Sequence, residues 1–270
     1  MNFGSDLERL RVPTLSTLSK YPALSVGLTL FTFILLILDF ITLHALSHTL
    51  SLYPYAPLKF DLNRLSFYCV VHQGLLHWLF NAVGLFPLIS MFERTHGTVY
   101  TGITLNLLAV TAGLQYCIVG LLLYPNTHII GISGIIFLFI SYFAYKEYQF
   151  RPYIYSFQLS GREVKIPTLY SPFAALIICK ILIPSSSFFG HLAGISSGFL
   201  LGHGYLRILY PPSKVILYIE SKVSRGILSL EGLVTYYPET EAINTRGVSY
   251  NPILSLDAES ALGNQPTTIL

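Results

Sequence analysis

One serine in this chain is placed for nucleophilic chemistry, and several histidines could serve it. Ser133 lies in Gly131-Ile132-Ser133-Gly134, directly ahead of the apolar run Ile135-Ile136-Phe137-Leu138-Phe139. A serine that opens a helix sits beside free N–H groups and the positive end of the helix dipole, both able to stabilise an oxyanion. Taken alone, Ser133 reads first as a helix cap, a routine role for serine. Ile135 rules out the G-x-S-x-G elbow of α/β-hydrolases.

A nucleophilic serine needs a base at the same depth. Of the eight histidines, His96 falls in a loop and His203 near the far end of the last apolar run. His44, His48 and His128 fall at or beyond the ends of apolar stretches. That leaves His72, His77 and His191. His191 stands in Gly190-His191-Leu192-Ala193-Gly194, where Gly190, Gly194, Gly198 and Gly202 repeat every four residues. Small residues at that spacing let helices pack backbone to backbone, so a close neighbour could bring Ser133 to the imidazole. A structural role for His191 stays equally open. His77 and Asn81 are four apart and share a helix face. Their N–H groups suit an oxyanion hole, or equally an interhelical hydrogen bond.

The elements that would position these groups are membrane spans. Charged residues make up 11% of the 270, against about 25% in soluble domains. Residues 21–38, 65–92, 95–145 and 181–206 hold no Asp, Glu, Lys or Arg. Uncharged apolar runs of about 18 or more residues read as spans. Six follow: Pro22–His44, Val71–Phe92, 98–123, 132–145, Leu169–Ile183 and Phe188–Leu209. The expected fold is therefore an all-α polytopic bundle. Its fourth helix is too short to cross, since Ser133 to Tyr145 covers only about 20 Å of a core about 30 Å thick. The start of that helix must stop inside the membrane, where irregular backbone needs protein or a water-filled cavity around it.

Lys and Arg set the orientation. With the N-terminus cytosolic, that side collects 13 of them, from Arg9 to Arg246, against Lys59, Arg64 and the nearby Lys180 outside. Both termini are expected in the cytosol. Three parts follow: a cytosolic segment 1–20, a membrane domain 21–210 and a cytosolic tail 211–270. In the tail, Ile216, Ile219, Val223, Ile227, Leu230 and Val234 predict an amphipathic helix over about 213–235. It would lie on the bilayer or pack on the bundle. Residues 238–270 are polar and expected to be disordered.

Several classes fall away. The net charge of +3 is spread out, with no basic run for nucleic acid. Cys69, Cys117 and Cys179 form no C-x-x-C pair and read as buried thiols. There is no H-E-x-x-H for zinc, and Asp39 is the one acid well inside a span, so an aspartyl pair is missing. No metal or cofactor is called for. No carboxylate is placed to orient His191, which leaves a Ser-His dyad.

Taken together, Gly131-Ile132-Ser133-Gly134, Gly190-His191-Leu192-Ala193-Gly194 and His77-x-x-x-Asn81 resemble a rhomboid intramembrane serine protease. The likeness covers about 60–210 and implies the six-helix rhomboid bundle. Three further strings resemble the fungal Golgi rhomboids: Phe92-Glu93-Arg94-Thr95-His96-Gly97-Thr98-Val99-Tyr100-Thr101-Gly102, Ile166-Pro167-Thr168-Leu169-Tyr170 and Pro184-Ser185-Ser186-Ser187-Phe188-Phe189-Gly190-His191. The resemblance implies Ser133 as nucleophile and His191 as general base. It implies His77, Asn81 and the Ser133 N–H as the oxyanion hole. Gly131, Gly134, Gly194 and Gly198 would support the site, and His72 would help anchor the first outer loop. The family's Trp-Arg pair in that loop reads Asn63-Arg64 here.

The expected function is hydrolysis of peptide bonds in or beside the spans of membrane-protein substrates, in Golgi membranes by resemblance. The alternative is a non-catalytic rhomboid-like adaptor that binds client helices and recruits a cytosolic factor through 211–270. An intact Ser-His pair argues against it. A transporter would need inverted repeats and a second broken helix, and neither is visible.

Overall fold

The computed structural model describes residues 20–159, 161–229 and 232–246. Among them the helices are α1 (Ala23–Ile41), α2 (Ala45–Leu50), α3 (Asn63–Phe67), α4 (Leu75–His96), α5 (Thr98–Leu123) and α6 (Ser133–Tyr148). A hairpin follows, β1 (Tyr153–Leu159) with β2 (Arg162–Pro167). Then come α7 (Ser171–Leu182), α8 (Phe188–Gly202), α9 (Ser213–Ser229) and α10 (Glu239–Thr245). The helices α1, α4 and α5 are each long and apolar enough to cross a bilayer. The other bundle helices are shorter. Helix α6, at 16 residues, spans about 24 Å and begins within the bundle.

The outside of the bundle is apolar. Leu30, Phe31, Ile34 and Ile37 on α1, Phe80 and Val83 on α4, and Ile177, Ile178 and Ile181 on α7 are all exposed. Such a surface belongs in lipid, where each helix satisfies its own backbone. The chain is a multi-pass membrane protein.

Inside, α6 lies against α8 along the glycine row. A Cβ on Gly194 would strike the Gly134 carbonyl, and one on Gly198 would strike the Leu138 carbonyl and Ser141 Oγ. The Ser141 hydroxyl donates to the Ile195 carbonyl at 2.9 Å, bridging the two helices. Gln115 on α5 donates to Ser197 Oγ at 2.8 Å. With no hydrophobic drive between helices in lipid, such close packing and hydrogen bonding hold the bundle together.

Glu93 closes the other end. It is fully buried on α4. Its carboxylate accepts from the Leu24 and Ser25 N–H groups at 2.8 and 2.9 Å, and from Ser25 Oγ at 2.8 Å. It thus satisfies the open N–H groups that begin α1. Thr98 Oγ1 also donates to it, at 2.8 Å.

Two features depart from the sequence expectations. The connection between α6 and α7 is a β-hairpin, whose two-residue alternation differs from the helical period. The tail is also more ordered than its polarity suggests. The amphipathic helix expected over 213–235 runs over Ser213–Ser229, and residues expected to be disordered form α10. Thr235 pairs with the start of α1: its N–H donates to the Tyr21 carbonyl, and its carbonyl accepts from the Ala23 N–H, each at 2.9 Å. Tyr237 and Thr98 exchange two further bonds. Arg246 pairs with the buried Glu239, donates to the His96 carbonyl and lies 3.7 Å over the Tyr100 ring. A seven-residue helix is unstable alone, so these contacts hold α10 in place. Residues 1–19 and 247–270, which include the rest of the expected disordered tail, lie outside the described residues.

Candidate active site

Ser133 is the first residue of α6. The strand-like segment ahead of it is clamped by the loop between α1 and α4. Leu52 and Ile129 exchange two N–H···O bonds of 2.9 Å, and the Gly131 N–H donates to the Tyr68 carbonyl at 2.9 Å. Gly131 has φ +103°, a backbone conformation that L side chains rarely adopt.

His191 comes from the first turn of α8. Its Nε2 is 2.9 Å from Ser133 Oγ. The ring is buried and stacks on Phe137, centroids 4.4 Å apart. Phe137 is one helical turn beyond Ser133, so α6 supplies both the hydroxyl and the surface that holds the imidazole. His191 Nδ1 has no hydrogen-bond partner among the described residues. Packing, and not a carboxylate, orients this ring.

Across the site, His77 and Asn81 converge on Gly131. A Cβ there would lie 2.7 Å from His77 Nε2 and 3.4 Å from Asn81 Nδ2. The Gln73 N–H donates to His77 Nδ1 at 3.4 Å. That bond assigns the ring proton to Nε2, which then faces the site as a donor. Asn81 Nδ2 is buried and has no partner among the described residues. A buried amide left unpaired is costly and calls for a role. His72 is buried behind this pair, its ring edge-on to His77 at 5.2 Å.

All four polar side chains, His77, Asn81, Ser133 and His191, line one cavity of about 530 Å³. Gln73, His128 and Ser185–Ser187 also line it, with an apolar floor that includes Ile136 and Phe137. The arrangement holds a hydroxyl against an imidazole, with the His77 ring and the Asn81 amide lining the same cavity. Among the described residues no group of three His, Cys, Asp or Glu is close enough to hold a metal ion.

The loop between α1 and α4 is tied to the site through Arg64. It donates to the carbonyls of Ser51 and His48 at 2.6 and 3.2 Å and to Asp61 at 3.2 Å, and it lies over the Tyr53 ring. The Tyr53 hydroxyl donates to Asp61 at 2.7 Å. That bond holds the Asp61 carboxyl below the ordinary range and pushes the Tyr53 phenol up. Ser51 Oγ bonds His128 Nδ1 at 3.0 Å, and Tyr53 stacks on the same ring. Partial burial lowers the His128 pKa. Asn63 is exposed, so the loop is fastened by the arginine of the Asn63-Arg64 pair.

The sequence motifs assign no role to Phe137, Glu93 or the Leu52–Ile129 pair. Phe137 has a readable signal, the four-residue offset from Ser133. The other two rest on contacts between distant segments.

A family model described as the rhomboid domain matches residues 59–208. Relatives named rhomboid-type serine protease 2 are similar over nearly the whole chain. The one from Debaryomyces hansenii is 60% identical over 99% of this chain and 94% of its own. The one from Candida albicans is 49% identical over 90% and 86%. The one from Saccharomyces cerevisiae is 37% identical over 90% of each.

Proposed function

The chain belongs to the rhomboid family and is an intramembrane serine protease acting on membrane-protein substrates, and from that premise we propose how its residues divide the reaction. Ser133 Oγ attacks the scissile carbonyl while His191 Nε2 takes its proton. The oxyanion is received by His77 Nε2–H, Asn81 Nδ2–H and the Ser133 N–H. His191 then protonates the leaving amine, and water entering through the polar side of the cavity hydrolyses the acyl-enzyme. Gly131 and Gly134 give the substrate backbone room. Gly194 and Gly198 bring α8 close enough to deliver His191, and His72 backs His77.

One observation carries this reading: the 2.9 Å contact of Ser133 Oγ with His191 Nε2 faces the unpaired Asn81 amide across a single cavity. A substrate helix must unwind locally to expose its backbone there, so cleavage favours spans containing helix-breaking residues. The test is cleavage of a quenched-fluorescence transmembrane peptide by wild type, Ser133→Ala and His191→Ala. Loss in both variants supports the dyad; full activity in Ser133→Ala sinks it.

The charge count supports cytosolic termini, and the motif likeness supports a Golgi location. The division into 1–20, 21–210 and 211–270 belongs to the same reading, with a cytosolic factor recruited through the tail. Protease tagging of each terminus and co-localisation in cells test these assignments.

A further inference from the structure

The hairpin between α6 and α7 is amphipathic. Its register pairs Tyr155 with Ile166, Phe157 with Val164 and Leu159 with Arg162 on one face. Ser156 with Lys165 and Gln158 with Glu163 occupy the other. The polar face carries its own ion pair, Lys165 to Glu163 at 3.2 Å. On the apolar face Tyr155, Phe157, Leu159 and Ile166 are all exposed. A two-stranded hairpin is marginal in water and needs its apolar face covered.

We propose that this face is a membrane-docking surface that lies on the bilayer, with its aromatic side chains in the headgroup region and Arg162 among anionic lipid headgroups. Three observations select lipid as the occupant. The hairpin connects two helices of the membrane bundle, and Thr168 holds its two strands together at the base through the carbonyls of Pro152 and Arg151. It therefore starts at the edge of the lipid-facing surface and is continuous with it. Its exposed set mixes Tyr and Phe with Leu and Ile, the composition of an interfacial belt. Its apolar face carries one charge, the cationic Arg162 at the tip, which favours an anionic surface. Under the topology proposed above, that leaflet is the cytosolic one. Docking there ties the lower ends of α6 and α7, which carry the nucleophile and one wall of the cavity, to the membrane surface.

The test uses the full chain in a Cys179→Ser background, with Phe157→Cys or Gln158→Cys carrying an environment-sensitive fluorophore. The protein is reconstituted in phosphatidylcholine vesicles containing phosphatidylserine. The label at 157 is expected to be quenched at least threefold more by nitroxide lipids than by aqueous iodide, and the label at 158 the reverse. Removing phosphatidylserine lowers the lipid quenching at 157 about twofold, and Arg162→Gln abolishes that dependence. Equal iodide access at both positions overturns the proposal. So does shielding of 157 from both quenchers, whether lost on dilution in lipid, which points to a second copy, or unaffected by it, which points to the protein's own surface.

Discussion

The carbonyl of Gly134 occupies the space that a Cβ on Gly194 would need. These residues follow Ser133 by one position and His191 by three, so this close approach of α6 and α8 bears directly on the distance between the proposed nucleophile and base. The dyad is set by backbone contact before any side chain is chosen.

Gly194→Ala is therefore expected to damage catalysis more than stability. One added methyl must push the helices apart, and a displacement of about 1 Å costs on the order of 100-fold in rate. Gly27→Ala, where nothing lies within 4 Å, should leave kcat/KM within about twofold. Peptide cleavage by both variants checks this. Equal activity in the two would disconnect the glycine row from the dyad.

The proposed oxyanion donors act on the transition state, so their loss should fall on kcat. Asn81→Ala and His77→Ala are each expected to lower kcat by roughly 10²–10³ with little change in KM. A rise in KM at constant kcat would assign them to substrate binding.

The Asp61–Tyr53–Arg64 cluster makes a prediction about pH. The Tyr53 bond depresses the Asp61 carboxyl below its ordinary value. Its contribution is thus present above the unfolded carboxylate range and is lost as pH falls through the lower folded value. The Leu52 and Ile129 amides should stay protected from hydrogen exchange at pH 5 and lose protection only below about pH 4. In Asp61→Asn, protection should be weaker and flat across that range.

Arg246 and Glu239 should behave as a coupled pair. Removing Arg246 leaves Glu239 buried and unpaired, at a cost of about 3 kcal/mol. Arg246→Met should lower the thermal midpoint more than Arg246→Met combined with Glu239→Gln. An additive result would mean that the tail helix is held without this pair.

Much of this architecture was legible as pattern. Uncharged runs gave the apolar helices, and the 13-residue interval from Ser133 to Tyr145 gave a helix too short to cross. The glycine period marked the face that meets α6. What stayed hidden depended on pairing between distant segments. Nothing local in Glu93 says that it caps α1. Leu52 and Ile129 look like ordinary apolar residues until their backbones meet. The hairpin's alternation of Tyr155, Phe157 and Leu159 with Ser156 and Gln158 was readable, but a strand of 7 residues carries none of the length that marks a span. The order in α10 was hidden by composition, because Thr240, Glu241 and Asn244 are exposed and the docking rests on the buried Glu239 and Ala242 and on the bonds of Arg246.

The bonds of Thr235 with Tyr21 and Ala23 have a consequence for biogenesis. The first span leaves the ribosome early, but its opening residues find their partner only after residue 235 has been made. At 5–20 residues per second that interval is roughly 10–40 s. The nascent protein therefore passes through a stage in which every bundle helix has been translated but the chain has not yet been fastened end to end. A protein truncated by premature termination before 235 would remain in that stage, with this edge unpaired and exposed to quality control.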